Sequence, residues 1–406
     1  MLHIDLSPET VLQLAPGVRT RFDAGGHVLL DAPDGTVVDI GPRGFAILSL
    51  FSRPMTLGEA VDRLEREAPP TDFAPTMSVV DILIEEGALV EPDASRGPTS
   101  GWADPVEHAR MLHDQRRTND YVAALAEAVR PGDVVLDIGT GSGVLAIAAA
   151  RAGARHVYAV EGSDIAEVAE RVFAANGVKD TVTLVPGWSR LAELPEPADL
   201  LVAEVIGNEP LEEEILETTL DARRRLLKPD ARLIPHTLTL LARPLLLPEE
   251  AARQRAIGRS AVERWRQLYG LEFQPLLDAA IPGPVNMPTE AEVAATWPPV
   301  GPPVVLASLD LTTFEDASVR ASADLVLDAP GAVNAVAVSF RASLTGSIEH
   351  TLDPWTWPTS SWAVSVWVLP DRLDLEPASR LRLHYARRCR DTRDGLTYEV
   401  VDDTGR

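Results

Sequence analysis

Two groups of residues in this chain have the types and spacing to act on a bound ligand. The first lies in VVLDIGTGSG, Val134 to Gly143. A short apolar run, Val134, Val135, Leu136 and Ile138, is broken by Asp137 and stops in Gly139-Thr140-Gly141-Ser142-Gly143. A helical pattern follows from Val144 to Ala152. A strand, a glycine turn and a helix in that order bring backbone close to a ligand at the carboxyl end of a parallel strand. Alone this pattern also describes an ordinary strand-to-helix turn. The next strand, His156 to Val160, ends in Glu161, 18 residues beyond Gly143. An acid at that tip is placed to accept hydrogen bonds from two ribose hydroxyls. The second group is acidic. Glu204 directly follows the apolar strand Leu200 to Ala203, and EPLEEE, which contains Glu213, follows it. Alone, such a loop is most simply a solvated face.

One loop of the first kind suits NAD or S-adenosylmethionine. The spacing Asp137-x-Gly139-x-Gly141-x-Gly143 resembles motif I of the class I S-adenosylmethionine-dependent methyltransferases, and no second nucleotide-binding half follows, as a dinucleotide would want. The expected cofactor is therefore S-adenosylmethionine, with Asp137 facing its ammonium group. Thr140, Gly162 and Ser189 are counted in the same pocket.

The elements that must position these groups need more than one core, because 406 residues suggest two or three domains. Hydrophobic content of 45% with 24% charged residues suits a soluble protein, and no apolar run approaches a membrane span. The start, MLHIDLSPET, has no secretory pattern, so a cytoplasmic protein is expected. The single cysteine, Cys389, excludes an internal disulfide framework or a thiolate zinc cluster. A net charge of -24, from 37 basic and 61 acidic residues, argues against nucleic acid as partner. No metal site is expected.

Residues 1–93 read as a unit. Three strands, Thr20–Phe22, Val28–Leu30 and Val37–Ile40, are separated by turns at Gly25-Gly26 and Pro33-Asp34-Gly35. Helical patterns follow over Arg43–Phe51, over Leu57–Glu67 with Thr56 as N-cap, and over Thr76–Glu86. This is a small winged-helix arrangement, but its third helix carries acids where DNA recognition needs Arg, Lys, Asn or Gln. The order VLLDAPDGTVVDIGPRGFAILSLF, MTLGEAVDRLERE, DILIEEGALVE resembles the PqqD-like RiPP recognition element, which binds the leader of a ribosomally made precursor peptide as an added strand. The resemblance implies that Val37, Val38 and Ile40 supply the strand edge and that Val80 lines a groove for apolar leader side chains. A Pro-, Gly- and Ser-rich linker, residues 94–104, follows.

Beyond the linker a helix is expected over Pro105–Arg117, continuing into Tyr121–Val129. From His108 onward the chain resembles the protein arginine methyltransferases. The resemblance rests on HARMLHDQRRTNDY, VVLDIGTGSG, AGARHVYAVEGSDIAEVAE, AEVIGNEPLEEEIL, LKPDARLIP, WRQLYGLEF and SSWAVSVWVL. It implies that Glu204 and Glu213, nine residues apart, are the two carboxylates that grip the substrate guanidinium. It further implies that Arg117 binds the cofactor carboxylate and that Asp114 and Trp362 border the acceptor. Three departures stand out. The Tyr-Phe-x-x-Tyr helix is absent, with Trp102 near its second tyrosine; the Thr-His-Trp loop is Ser360-Ser361-Trp362, without the histidine that would pair with Asp114; and Arg190 stands where a cofactor-contacting acid is common. They bear on whether arginine is the acceptor.

The expected architecture is α/β plus β: a winged-helix unit, a Rossmann-like domain over 105–236, and an antiparallel β-barrel over 237–406 with a helical dimerisation arm around 248–285. The expected activity is methylation of an amine nitrogen, arginine included, in a precursor peptide, by a homodimer. Two rivals are a methyltransferase for another substrate, small molecule or protein, and a transcription factor that senses S-adenosylmethionine.

Overall fold

The computed structural model describes residues 10–15, 18–22, 27–31, 36–51, 55–67, 79–80, 82–84, 86–90, 101–253, 257–280, 283–325, 327, 331–375, 379–389 and 394–402. In the first part, β1 (Val11–Leu14) lies between β5 (Met55–Thr56) and β6 (Leu89–Val90), while β2 (Arg19–Phe22), β3 (Val28–Asp31) and β4 (Val37–Asp39) form a meander with β4 at its edge. Helices Gly41–Leu50 and Leu57–Glu67 follow the expected patterns. The second begins in a reciprocal capping box: Glu59 N–H donates to Thr56 Oγ1 (3.1 Å) and Thr56 N–H to Glu59 Oε2 (3.2 Å). Of the expected third helix, 79–80 and 82–84 are described and helical, and Thr76 lies outside the described residues. Leu12, Leu30, Ile47, Phe51, Leu83 and Leu89 form a small core, separate from the larger one that follows.

Two expectations for this unit need correction. Ile40 does not belong to the edge strand: its N–H donates inward to Val28 O (2.9 Å), and it is the residue from which helix Gly41–Leu50 starts. Val80 does not line a groove. It is 1% exposed, inside the small core, and Ile82 is the exposed residue of that segment.

The helix expected over Pro105–Arg117 is two helices, Pro105–His113 and Gln115–Ala128, broken at Asp114. An aspartate competes well for N–H groups at a helix start, and Asp114 Oδ1 accepts from Arg117 N (3.0 Å), so the second helix begins there. Five parallel strands follow: β7 (Val134–Ile138), β8 (His156–Glu161), β9 (Val182–Pro186), β10 (Ala198–Ala203) and β11 (Leu227–Ile234). Their order is β11-β10-β7-β8-β9. The chain steps outward from β7 to β9 and then crosses to β10 on the other side of β7. The carboxyl ends of β7 and β10 therefore flank the point where strand order reverses, which is where open α/β sheets bind ligands. The fully buried β7 has no polar face, as a strand covered on both sides requires.

The remaining strands are antiparallel. β13 (Val285–Glu290), β18 (Ala363–Leu375), β16 (Gly331–Ser343), β12 (Thr237–Leu245) and β14 (Val304–Asp310) pair in that order, and β17 (Glu349–Thr351) adds to β16. β15 (Val319–Leu325), β19 (Ser379–Arg387) and β20 (Gly395–Asp402) make a second sheet. The two sheets form a barrel-like domain whose interior is continuous with the parallel-sheet core. Helices Glu249–Arg253, Arg259–Tyr269 and Gln274–Ala279 lie between β12 and β13. Among the described residues no helix is long and apolar enough to cross a membrane.

Candidate active site

The glycine loop follows β7 directly. Gly139 and Thr140 each donate their N–H to Val160 O (3.0 Å both), which ties the loop to the end of β8. Gly139, Gly141 and Gly143 all have positive φ (73, 54 and 87°). At Gly143 a Cβ would lie 2.4 Å from the Phe173 ring, so a side chain would be strained by the backbone and also excluded by the helix packed behind. His108 packs against the other side of the loop, where a Cβ on Gly141 would meet its ring at 2.9 Å. His108 Nε2 is 2.7 Å from Trp102 O, and the Ser163 hydroxyl also donates to that carbonyl (3.4 Å). The 101–103 turn is thereby held across the loop.

Asp137 is buried at the end of β7. Its Oδ2 accepts from the Thr140 hydroxyl (2.7 Å), while Oδ1 has no partner. Burial pushes its pKa up to about 7, opposed by the Thr140 hydrogen bond and assisted by the neighbouring Glu161 charge. A buried carboxylate oxygen without a donor, beside a glycine loop, suits a cation supplied by a ligand. Glu161 is buried at the tip of β8. Its Oε2 accepts from Gly141 N (2.9 Å) and its Oε1 from Ser163 N (2.8 Å), so it buttresses the loop as well as ending the strand. Each oxygen keeps a further lone pair for a ribose hydroxyl. Gly162 lies under the Trp188 ring. Ser189 opens a short 3₁₀ turn and its carbonyl accepts from Arg225 (3.0 Å).

On the β10 side, Glu204 contacts a guanidinium, and Glu213 lies close enough to feel its charge. Arg117 forms an ion pair with Glu204, and its charge also acts on Glu213. It lies over the Trp362 ring, 5.2 Å from the centroid. Burial raises Glu213 to about 7, the adjacent Glu212 raises it further, and Arg117 opposes both. Burial also lowers the pKa of Arg117, offset by Tyr121, Asp114 and Glu213. Arg117, expected to serve the cofactor carboxylate, therefore sits between the two groups, within reach of Glu204.

The loop carrying the two glutamates turns tightly at Gly207, where a Cβ would lie 2.3 Å from Glu212 Cγ. The barrel-like domain holds it. Trp362 Nε1 donates to Ile206 O (2.7 Å) and Ala363 N to Asn208 Oδ1 (2.8 Å). Asp114 Oδ2 accepts from Ser361 N (2.8 Å) and the Ser361 hydroxyl (3.4 Å), so serine fills the place of the absent histidine. Several residues had no signal in the local sequence. His350, buried against Trp362 (5.3 Å between rings), has Nδ1 2.8 Å from Asp120 Oδ2. Tyr385, Arg387 and Arg388 reach the glutamate loop from the end of β19. Val37 and Val38 lie on a separate unit, at the β4 edge.

A parallel sheet with this strand order, a glycine loop after its first strand and an antiparallel barrel-like domain behind define the class I methyltransferase fold in its arginine-methyltransferase-like form. Residues 116–235 match the family model for ribosomal protein L11 methyltransferase (PrmA). Probable protein arginine N-methyltransferase 6 of Arabidopsis thaliana is 28% identical over 276 residues, 64% of this chain and 62% of that protein. Probable histone-arginine methyltransferase CARM1 of Oryza sativa subsp. indica is 34% identical over 217 residues, 52% of this chain and 40% of that one. The chain thus spans less than two thirds of either relative. Among solved structures, Arabidopsis thaliana protein arginine methyltransferase 10 superposes with a TM-score of 0.61 at 22% identity, covering 75% of this chain and 95% of that one. The Trypanosoma brucei PRMT1 enzyme-prozyme heterotetrameric complex with AdoHcy gives 0.59 at 23%, covering 74% and 99%. At such identity these two likenesses are of fold.

Proposed function

We propose that this chain is an S-adenosylmethionine-dependent N-methyltransferase that modifies an arginine guanidinium, or another amine nitrogen, in a ribosomally made precursor peptide. The carrying observation is the ion pair of Glu204 with the Arg117 guanidinium, whose charge also acts on Glu213, beside a glycine loop whose buried Asp137 has an oxygen without a donor. Similarity to arginine methyltransferases of plants supports the acceptor class.

S-adenosylmethionine, when bound, supplies an electrophilic methyl group. Asp137 would hold its ammonium, Glu161 its ribose, and the backbone of Gly139 to Gly143 would border it. Glu204 and Glu213 hold the acceptor as a planar fork of donors, which fixes one nitrogen in place. Trp362 covers the site on the barrel side and keeps water from it. Glu213, raised by burial, is poised to take the proton that the acceptor nitrogen loses. Asp114 and Ser361 fix the loop that carries Trp362, a positional task that needs no histidine.

Leader binding by residues 1–93 is part of the same reading. β4 is a sheet edge, Val37 is 50% exposed, and the alternation of the β3–β4 ladder turns the main-chain groups of Val37 and Asp39 outward. An added peptide strand would pair there. The arm would dock on a second copy through Leu268, Tyr269, Leu271 and Leu276, all exposed. A cytoplasmic setting accords with this substrate. The test is coexpression with small peptides encoded nearby, followed by mass spectrometry: a methyl-sized gain on a peptide side-chain nitrogen is expected. Cofactor binding without methylation of any peptide would overturn the acceptor.

A further inference from the structure

We infer that Arg388, together with Arg190, is a positioning residue: the two guanidiniums brace Glu214 in a left-handed turn, and that turn aims Glu213 into the acceptor site. The inference rests on the methyltransferase reading above. Three consecutive acids, Glu212, Glu213 and Glu214, point three ways. Glu212 Oε1 folds back to accept from Glu209 N (3.2 Å). Glu213 lies close enough to Arg117 for their charges to act on each other. Glu214 forms ion pairs with Arg190, from the turn after β9, and with Arg388, just beyond β19. A solvated acidic face would show no such sorting.

The backbone carries the same message. Among the described residues only Glu214 (φ 61°) and Arg388 (φ 52°) are non-glycine residues with positive φ, and they are bonded to each other. Such conformations persist where the surroundings over-determine them, and they gather at functional sites. Glu214 stands at the N-cap of helix Ile215–Arg225, yet its side chain makes no cap hydrogen bond and goes instead to the two arginines. Arg388 is itself fixed: its N–H donates to Asp394 Oδ1 (2.5 Å) and its Nε to Glu217 Oε1 (2.7 Å). Its neighbours hold the rest of the loop. Tyr385 OH donates to Glu209 Oε1 (2.5 Å) and Arg387 to Leu211 O (3.4 Å). The end of β19 thus grips the glutamate loop at Glu209, Leu211 and Glu214, and the acceptor site is completed by the barrel-like domain.

Arg388→Met removes the brace and Arg388→Lys keeps its charge, while Glu214→Gly keeps the left-handed turn and removes the carboxylate. For Arg388→Met we expect kcat on the precursor peptide to fall by about tenfold with cofactor affinity unchanged by calorimetry. Hydrogen exchange across 207–216 should quicken while β7 and β8 stay protected, with partial rescue in Arg388→Lys and a similar kcat loss in Glu214→Gly. Unchanged kcat or unchanged exchange in the loop overturns the brace. Loss of cofactor binding or general loss of protection in both Arg388→Met and Glu214→Gly overturns it too, because the pair would then serve only the fold. If the wild type methylates no peptide, the functional reading fails, and the exchange measurement still decides the brace.

Discussion

Asp137 concentrates the electrostatics of the site. Burial raises its pKa to about 7, so below that pH it is neutral, and a cationic ligand must drive off its proton to bind. Cofactor affinity should therefore rise by up to about tenfold per pH unit as pH approaches 7 and then level, because one proton is released on binding. Asp137→Asn should bind more weakly and show a flatter profile; calorimetry from pH 5.5 to 8.5, roughly the range that brackets this pKa, distinguishes the two. The same shift has the opposite sign for the ligand-free fold. A raised carboxyl pKa gives stability that is full below the unfolded value and is lost as pH rises through about 7. Glu213 adds a second slope of that sign, so Asp137→Asn should remove only part of the pH dependence of the melting temperature. Glu161→Ala should weaken cofactor binding by roughly 2–3 kcal/mol, the cost of charge-assisted hydrogen bonds in a partly dry site, since it also loosens Gly141. Glu204→Gln frees Arg117 from its ion pair. It should cut turnover by about tenfold or more while cofactor affinity stays at or above wild type, and full turnover would return this loop to a solvated face.

At the scale of elements, β4 is the test of recognition. A charge at Val80 would enter the small core and unfold it, so it cannot probe a binding groove. Val37→Pro acts on the open edge, since the N–H it removes points away from β3 and the ladder to Leu30 runs through Val38. It should lower methylation of a full-length precursor by about tenfold and leave a leaderless core peptide at high concentration unaffected, because tethering supplies local concentration and no chemistry. Equal methylation of both substrates by wild type and variant would show that this edge does not read the leader.

On the whole molecule, the exposed face of the helices between β12 and β13 is the test of the proposed dimer. Leu268 and Tyr269 are 64% and 63% exposed on helix Arg259–Tyr269, and Leu271 and Leu276 just beyond are exposed as well, a run of apolar side chains of the kind that marks an interaction surface. Leu268→Glu with Tyr269→Glu should convert a dimer to a monomer in light scattering, with the melting temperature of the parallel-sheet domain little changed. A wild-type monomer at micromolar concentration would remove the docking role of the arm.

Local sequence sufficed wherever chemistry and backbone coincide. Asp137, the three glycines and Glu161 sit at one strand end and the next, so their order alone placed them at the carboxyl edge of a parallel sheet. The capping box at Thr56 and Glu59 is likewise a property of four successive residues. What needed the tertiary structure was every contact between distant segments. Asp114 breaks a helix that periodicity would continue, because its carboxylate caps the next helix and receives Ser361, 247 residues away. Val80 and Ile82 differ in burial by a choice of helix face that the two short apolar runs on either side of Asp81 do not encode. The three glutamates at 212, 213 and 214 are alike in sequence, and only groups from across the fold, Arg117 near Glu213 and Arg190 and Arg388 on Glu214, tell them apart. Identical side chains acquire different roles when their partners come from across the fold, and that information lies in packing.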